Sequence, residues 1–240
     1  ICGVLEERGI PYQYCPIDSY RINPPSLENR LGVVVLAGAI VPGKYLRGTP
    51  ISLRETKGVI SGTPGNTPIL CGGWTIRGWR HQGWSPLRKN LFLAHWDTDA
   101  SLDYYLDNSQ WKHIRRTAEQ WDEWAKAGAS SKAVTEHPDL DGPLTYEVEV
   151  YQGCVRFKNG CKFCLEPKKG VPLWRKPEVI ISEVKTGKAA SFTALAKTGI
   201  EKSTIDSVVL GTVITNLKTS NAVSYTHLRA HETGRNLVCR

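Results

Sequence analysis

Apolar positions recur along this chain in two rhythms, and the changes between them mark its elements. Over residues 1–130 short apolar runs alternate with mixed, amphipathic segments. Val4 to Arg8 reads as the end of a helix, while Tyr12–Cys15, Gly32–Ala39, Thr67–Cys71 and Leu91–His95 read as strands. The run LGVVVLAGAI, residues 31–40, is continuously apolar and rich in β-branched residues, the pattern of a strand covered on both faces in a parallel sheet. Ser52–Lys57 predicts a short helix, and Ser101–Leu106 another, with polar cap candidates at Asp97 to Asp99 ahead of it. Alternation of this kind predicts a three-layer α/β domain over 1–130.

The helical rhythm is clearest in TAEQWDEWAKA, Thr117–Ala127, where Trp121 and Trp124 stand three apart with charged residues on the other faces. That helix is expected to end at Gly128, and 131–144, rich in Ser, Pro, Asp and Gly, reads as an interdomain linker. Thr145–Val150, TYEVEV, then alternates as a strand does and runs directly into YQGCVRFKNGCKFC.

Composition narrows the class. The chain has 240 residues, 40% apolar and 22% charged, which suits a globular protein of one or two domains. Nothing approaches the roughly 18 consecutive apolar residues of a membrane span. The opening ICGVLEERG lacks the basic-then-apolar layout of a signal peptide, so a cytoplasmic setting without membrane contact is expected. No methionine is present, even at position 1, and that end reads as a fragment. The net charge of +8 favours anionic partners, nucleic acid among them.

Seven cysteines stand at 2, 15, 71, 154, 161, 164 and 239, and three of them crowd into eleven residues. Such crowding is the mark of a ligand cluster and not of a disulfide framework. Cys154, Cys161 and Cys164, spaced six and then two behind a strand, can supply three thiolates to a four-iron cluster and leave the fourth iron open. Zinc is the alternative, with His137 or another cysteine as fourth ligand, and it pairs with a reading of the chain as a nucleic-acid interaction module.

This motif resembles that of the radical S-adenosylmethionine (radical SAM) family. The family's usual spacing is three and then two; the longer first gap resembles a subset with the same glycine-cysteine opening and an aromatic before the last cysteine, positions filled here by Gly153 and Phe163. EPKKGVPLWRKPEVIISEV, residues 166–184, is similar to the stretch after the motif, where a proline-started helix leads back to the barrel. AGAIVPGKYLRGTPISLRE, residues 37–55, with the glycines at 72 and 73, resembles the cobalamin-binding-type domain that precedes the radical domain in archaeal-type members.

The resemblance implies a Rossmann-like domain over 1–130, followed over 145–187 by the start of a truncated partial TIM barrel. It implies Cys154, Cys161 and Cys164 as ligands of a 4Fe-4S cluster, with Gly153 and Phe163 beside bound S-adenosylmethionine. In the family the open iron holds that cofactor, and one electron from a donor such as ferredoxin or flavodoxin cleaves it to a 5'-deoxyadenosyl radical that takes hydrogen from a substrate. The substrate is not legible. Cobalamin binders often carry an Asp-x-His-x-x-Gly motif; nothing here matches it, which counts against a bound cobalamin.

Weaker signals have plainer readings. GKYLRG, residues 43–48, lacks the Lys-Ser/Thr of a phosphate loop and reads as a glycine-rich turn. WTIRGWRHQGWSPLRK, residues 74–89, interleaves three tryptophans with Arg77, Arg80, Arg88 and Lys89, a pattern open to RNA stacking or to interdomain packing. His95, Asp97 and Asp99 read as a metal trio or as a strand end with a helix cap. Residues 188–222 resemble the N-terminal region of thiolases through IDSVVLGTVITNLKTSN, without that family's nucleophilic cysteine, and a chimeric join near 185–188 is expected. VSYTHLRAHET, 223–233, and the closing LVCR resemble a translated sequencing adapter, so 223–240 are set aside with His227, His231 and Cys239.

Overall fold

The computed structural model describes residues 1–37, 51–73, 76, 88–136, 148–154, 156–159 and 173–198. The fold is mixed α/β, and the chain forms two compact units, one built chiefly from Gly3–Thr117 and the other from Ala118 onward.

The first unit runs α1 (Cys2–Glu7), α2 (Ile17–Ile22), β1 (Val33–Leu36), α3 (Leu53–Gly62), β2 (Ile69–Gly72), β3 (Leu91–Leu93) and α4 (Thr98–Asn108). The strands form one parallel sheet in the order β1-β2-β3. Val33 pairs with Ile69 and Leu36 with Gly72, and Ile69 pairs with Leu91. Ladder bonds continue past the strand ends, from Ala37 N–H to the Gly72 carbonyl and from Ala94 N–H to that of Cys71, each 2.8 Å.

The strand buried throughout is ILCG of β2, not the VVVL of β1. β1 lies at the edge of the described sheet: Val35 is buried at 8% exposure while Leu36 is 56% exposed. Val35, Val59, Ile60, Ile69, Cys71 and Leu93 make one core. Complete burial of Ile69 alone stabilises by about 1.5–3 kcal/mol.

Caps set the helix boundaries. Ser52 and Glu55 form a capping box, with the Ser52 Oγ accepting from Glu55 N–H at 3.2 Å and Glu55 Oε2 accepting from Ser52 N–H at 2.7 Å. At the other end Arg88 donates to the carbonyls of Ile60, Thr63 (2.9 Å) and Pro64 (3.0 Å), placing a cation on the negative end of the helix dipole. Gly72 is where α4 begins to sit on the sheet: a Cβ there would lie 2.0 Å from Thr98 Oγ1. Gly73 has φ +101°, and a Cβ would lie 2.2 Å from the Ala37 carbonyl oxygen, so both positions need glycine.

Tyr12–Cys15, expected as a strand, pairs with no described strand. The prolines at 11 and 16 bracket it, Tyr12 Oη donates to Glu6 at 2.6 Å, and Pro16, extended at ψ 156°, starts α2, which the apolar pattern did not announce.

The second unit contains α5 (Ala118–Gly128), α6 (Lys132–Thr135), β4 (Tyr151–Gln152), β5 (Leu173–Trp174) and α7 (Pro177–Thr198). α5 is the expected amphipathic helix, with Trp121 at 2% and Trp124 at 5% exposure, and α7 packs on both α5 and α6. The division between units therefore precedes α5, whereas composition had placed a linker at 131–144; the beginning of that stretch carries α6, and 137–147 lie outside the described residues. The strand expected at Thr145–Val150 appears instead as β4, because pairing with the two residues of β5 decides where the ladder forms. α7 starts at a proline and runs unbroken across 185–188. No described helix is long and apolar enough to cross a membrane.

Candidate functional site

The cysteine segment opens and closes on an antiparallel pair. Tyr151 faces Trp174 and Gln152 faces Leu173, and Arg175 N–H reaches the Val150 carbonyl at 3.2 Å. The chain from 153 to 172, which in sequence holds Cys154, Cys161 and Cys164, thus has both ends held together. Gly153 leaves β4 at φ +98°, a left-handed conformation that a side chain resists. Cys154 follows directly and is 8% exposed.

Arg156 N–H donates to Cys154 Sγ at 3.3 Å, and Asn159 N–H donates to the Arg156 carbonyl at 3.1 Å, which curls the loop over the sulfur. A backbone donor on sulfur favours the thiolate, the form that binds metal. Beyond it Arg156, Phe157, Lys158 and Asn159 line an open hollow of about 580 Å³, with the Lys158 ammonium 5.9 Å from the centre of the Phe157 ring. Cys161, Phe163 and Cys164 lie outside the described residues.

A buried arginine supports this hairpin from behind. The Arg175 side chain is 1% exposed; its Nε donates to Asp122 Oδ1 at 2.8 Å and its Nη1 to the Glu149 carbonyl at 2.9 Å. Nη1 also lies 2.5 Å from Glu183 Oε2, and the guanidinium stands 5.5 Å from the centre of the Trp121 ring. One residue thereby joins α5, the approach to β4, the end of β5 and α7. Sequence reasoning passed over it, since the acidic partners come from other elements and only WRKP, a cation between a strand and a proline-started helix, hints at a role.

The remaining described thiols are unlike Cys154. Burial pushes Cys71 up to about 12 and also raises Cys15, so both stay protonated. His95, Asp97 and Asp99 resolve into structure: Asp97 caps α4 by accepting from Ala100 N–H at 3.1 Å and accepts from Arg116 Nε at 2.7 Å. Asp99 pairs with Arg116 Nη2 at 2.7 Å; burial alone would raise its carboxyl, but the chain's amino group and Arg116 hold it below the usual range. The His95 ring sits 5.6 Å from that of His113, which packs 4.6 Å from Phe92 and is lowered by burial. No three metal-binding side chains cluster among the described residues. Arg88 serves as the cap on α3, while 43–48, 77–87 and His137 lie outside the described residues, as do the thiolase-like residues from 199 and the tail.

Two uncharacterized proteins are similar to this chain. One, from Methanocaldococcus jannaschii, is 30% identical over 200 residues, covering 76% of this chain and 36% of the relative. The other, from Archaeoglobus fulgidus, is 29% identical over 189 residues, covering 77% of this chain and 32% of the relative. The chain therefore spans about a third of the length of the curated relatives it matches. No protein-family model matches it, and no solved structure does.

Proposed function

We propose that this chain is the cluster-bearing part of a radical SAM enzyme, in which a Rossmann-like first unit precedes the opening strand, cysteine loop and first helix of a partial barrel. The observation that carries the reading is the seat of Cys154. It lies at the end of a strand, behind a glycine at φ +98°, with a backbone N–H on its sulfur, in a loop whose ends are paired. Such a seat fits a cluster-ligating thiolate, and the sequence puts Cys161 and Cys164 in the same closed segment.

In this reading the three thiolates hold a 4Fe-4S cluster, Gly153 and Phe163 line the place of S-adenosylmethionine, and the Arg175 network keeps the hairpin from opening. When bound, the cluster supplies one electron to the sulfonium of S-adenosylmethionine and so starts radical chemistry. The chain's own residues seat the thiolates and shield the loop; substrate contacts would come from further strands.

Anaerobic reconstitution followed by iron and acid-labile sulfide analysis tests this. About four irons and four sulfides per chain are expected, degraded by alanine at Cys154, Cys161 or Cys164. Stoichiometric zinc without sulfide would favour the zinc module instead.

A further inference from the structure

The six residues between Cys154 and Cys161 are more than a three-thiolate loop requires, and two of them are exposed cations. Arg156 and Lys158 both project to the surface around the hollow beside Phe157, and neither forms an ion pair with a described residue. Arg156 is also the residue whose backbone N–H touches the Cys154 sulfur at 3.3 Å, so the charge sits within one turn of chain from a ligand. In sequence, the rest of the stretch up to β5 adds Lys162, Lys168 and Lys169 against Glu166 alone.

We propose that Arg156, Phe157 and Lys158 form the docking surface for an acidic one-electron carrier protein that delivers its electron to the metal held at Cys154. This rests on the reading of the loop as a cluster site. The charge argument favours a protein carrier. Opposite charge speeds encounter by about 10- to 1000-fold in a manner that salt suppresses, and the half-buried Phe157 gives the patch an apolar centre of the kind small transient interfaces use. The transfer is a single electron: the carrier is oxidised by one, the cluster is reduced by one, and no bond or proton changes hands.

The test uses the full chain, the double variant Arg156→Glu/Lys158→Glu and the charge-keeping variant Arg156→Lys/Lys158→Arg. Iron and sulfide are measured first, and a wild-type chain without either removes the function proposed above and this surface with it. With cluster present, stopped-flow reduction by a reduced acidic ferredoxin at low salt should slow at least tenfold in the Glu variant. It should be unchanged in the Lys/Arg variant and in reduction of any variant by titanium(III) citrate. Binding of oxidised acidic flavodoxin to the metal-free chain, followed by calorimetry, should weaken in parallel, so a Glu variant that fails to assemble its cluster still reports. Three results overturn the surface while leaving the cluster reading intact. The carrier rate and binding can survive charge reversal; cluster can be lost while flavodoxin binding is unaffected, which makes the cations mere counter-charge; or a short single-stranded RNA can bind through these residues while flavodoxin does not.

Discussion

Arg175 Nη1 and Glu183 Oε2 meet at 2.5 Å in an interior where the two side chains are 1% and 7% exposed. A pair so buried is held by its surroundings, because removing either charge from water is expensive unless the other stands in place. Here Asp122 and the Glu149 carbonyl complete the shell of the arginine.

Replacing Arg175 by Met should accordingly destabilise the second unit by about 3–5 kcal/mol, since Glu183 is left charged and buried. Adding Glu183→Leu should recover much of the loss, and Arg175→Lys should fall between, having charge but no planar fork. Urea denaturation of the three variants measures this. Equal losses in the single and double variants would show that packing, not charge pairing, is what Arg175 supplies.

Elements whose sequence period coincides with their burial were legible beforehand. Trp121 and Trp124 announce α5, Ser52 and Glu55 announce the start of α3, and Asp97 its counterpart at α4. Long-range pairing was not legible. Which apolar run becomes the central strand depends on neighbours, so ILCG is enclosed on both faces while the more hydrophobic VVVL lies at the edge. The site divides in the same way: Gly153 and Cys154 are visible as a motif, but Arg175 acquires its role only when Asp122, 53 residues earlier in the chain, folds against it.

The first unit should lose stability in mild acid through His113. Burial lowers its pKa below the ordinary 6.5, so the unfolded chain binds the proton more readily than the folded one. The contribution of the neutral ring is present above about pH 6.5 and is lost as pH falls through the folded value. Denaturant midpoints from about pH 7.5 to about pH 5.5 should decline, above the range where most carboxylates titrate. His113→Phe should flatten that slope, and a slope unaltered by the substitution would place the proton elsewhere.

Cys71 should behave as a core residue and nothing more. With its thiol pushed up to about 12 and no exposure, it should resist iodoacetamide in the native chain and react once the chain is unfolded. Cys71→Ala should lower stability by about 1–2 kcal/mol while leaving the iron content of the reconstituted chain unchanged. A fall in iron without a fall in stability would make Cys71 a ligand and contradict its burial in β2.

Gly153 should matter more to metal than to folding. Its φ of +98° belongs to glycine, and Gly153→Ala should introduce strain of about 1–3 kcal/mol or swing the backbone out of the left-handed region. The second course relieves the strain by moving Cys154, the next residue, away from the Arg156 N–H that it accepts at 3.3 Å. Either way the expected result is a marked drop in iron and sulfide per chain with a smaller change in the unfolding midpoint. Gly58→Ala is the matched control: Gly58 lies inside α3 with nothing within 4 Å of an added Cβ, so alanine there should stabilise by about 0.5–1 kcal/mol without changing metal content. If Gly153→Ala holds as much iron as the parent chain, the left-handed turn is not what seats the first thiolate, and the ladder between β4 and β5 must be sufficient by itself.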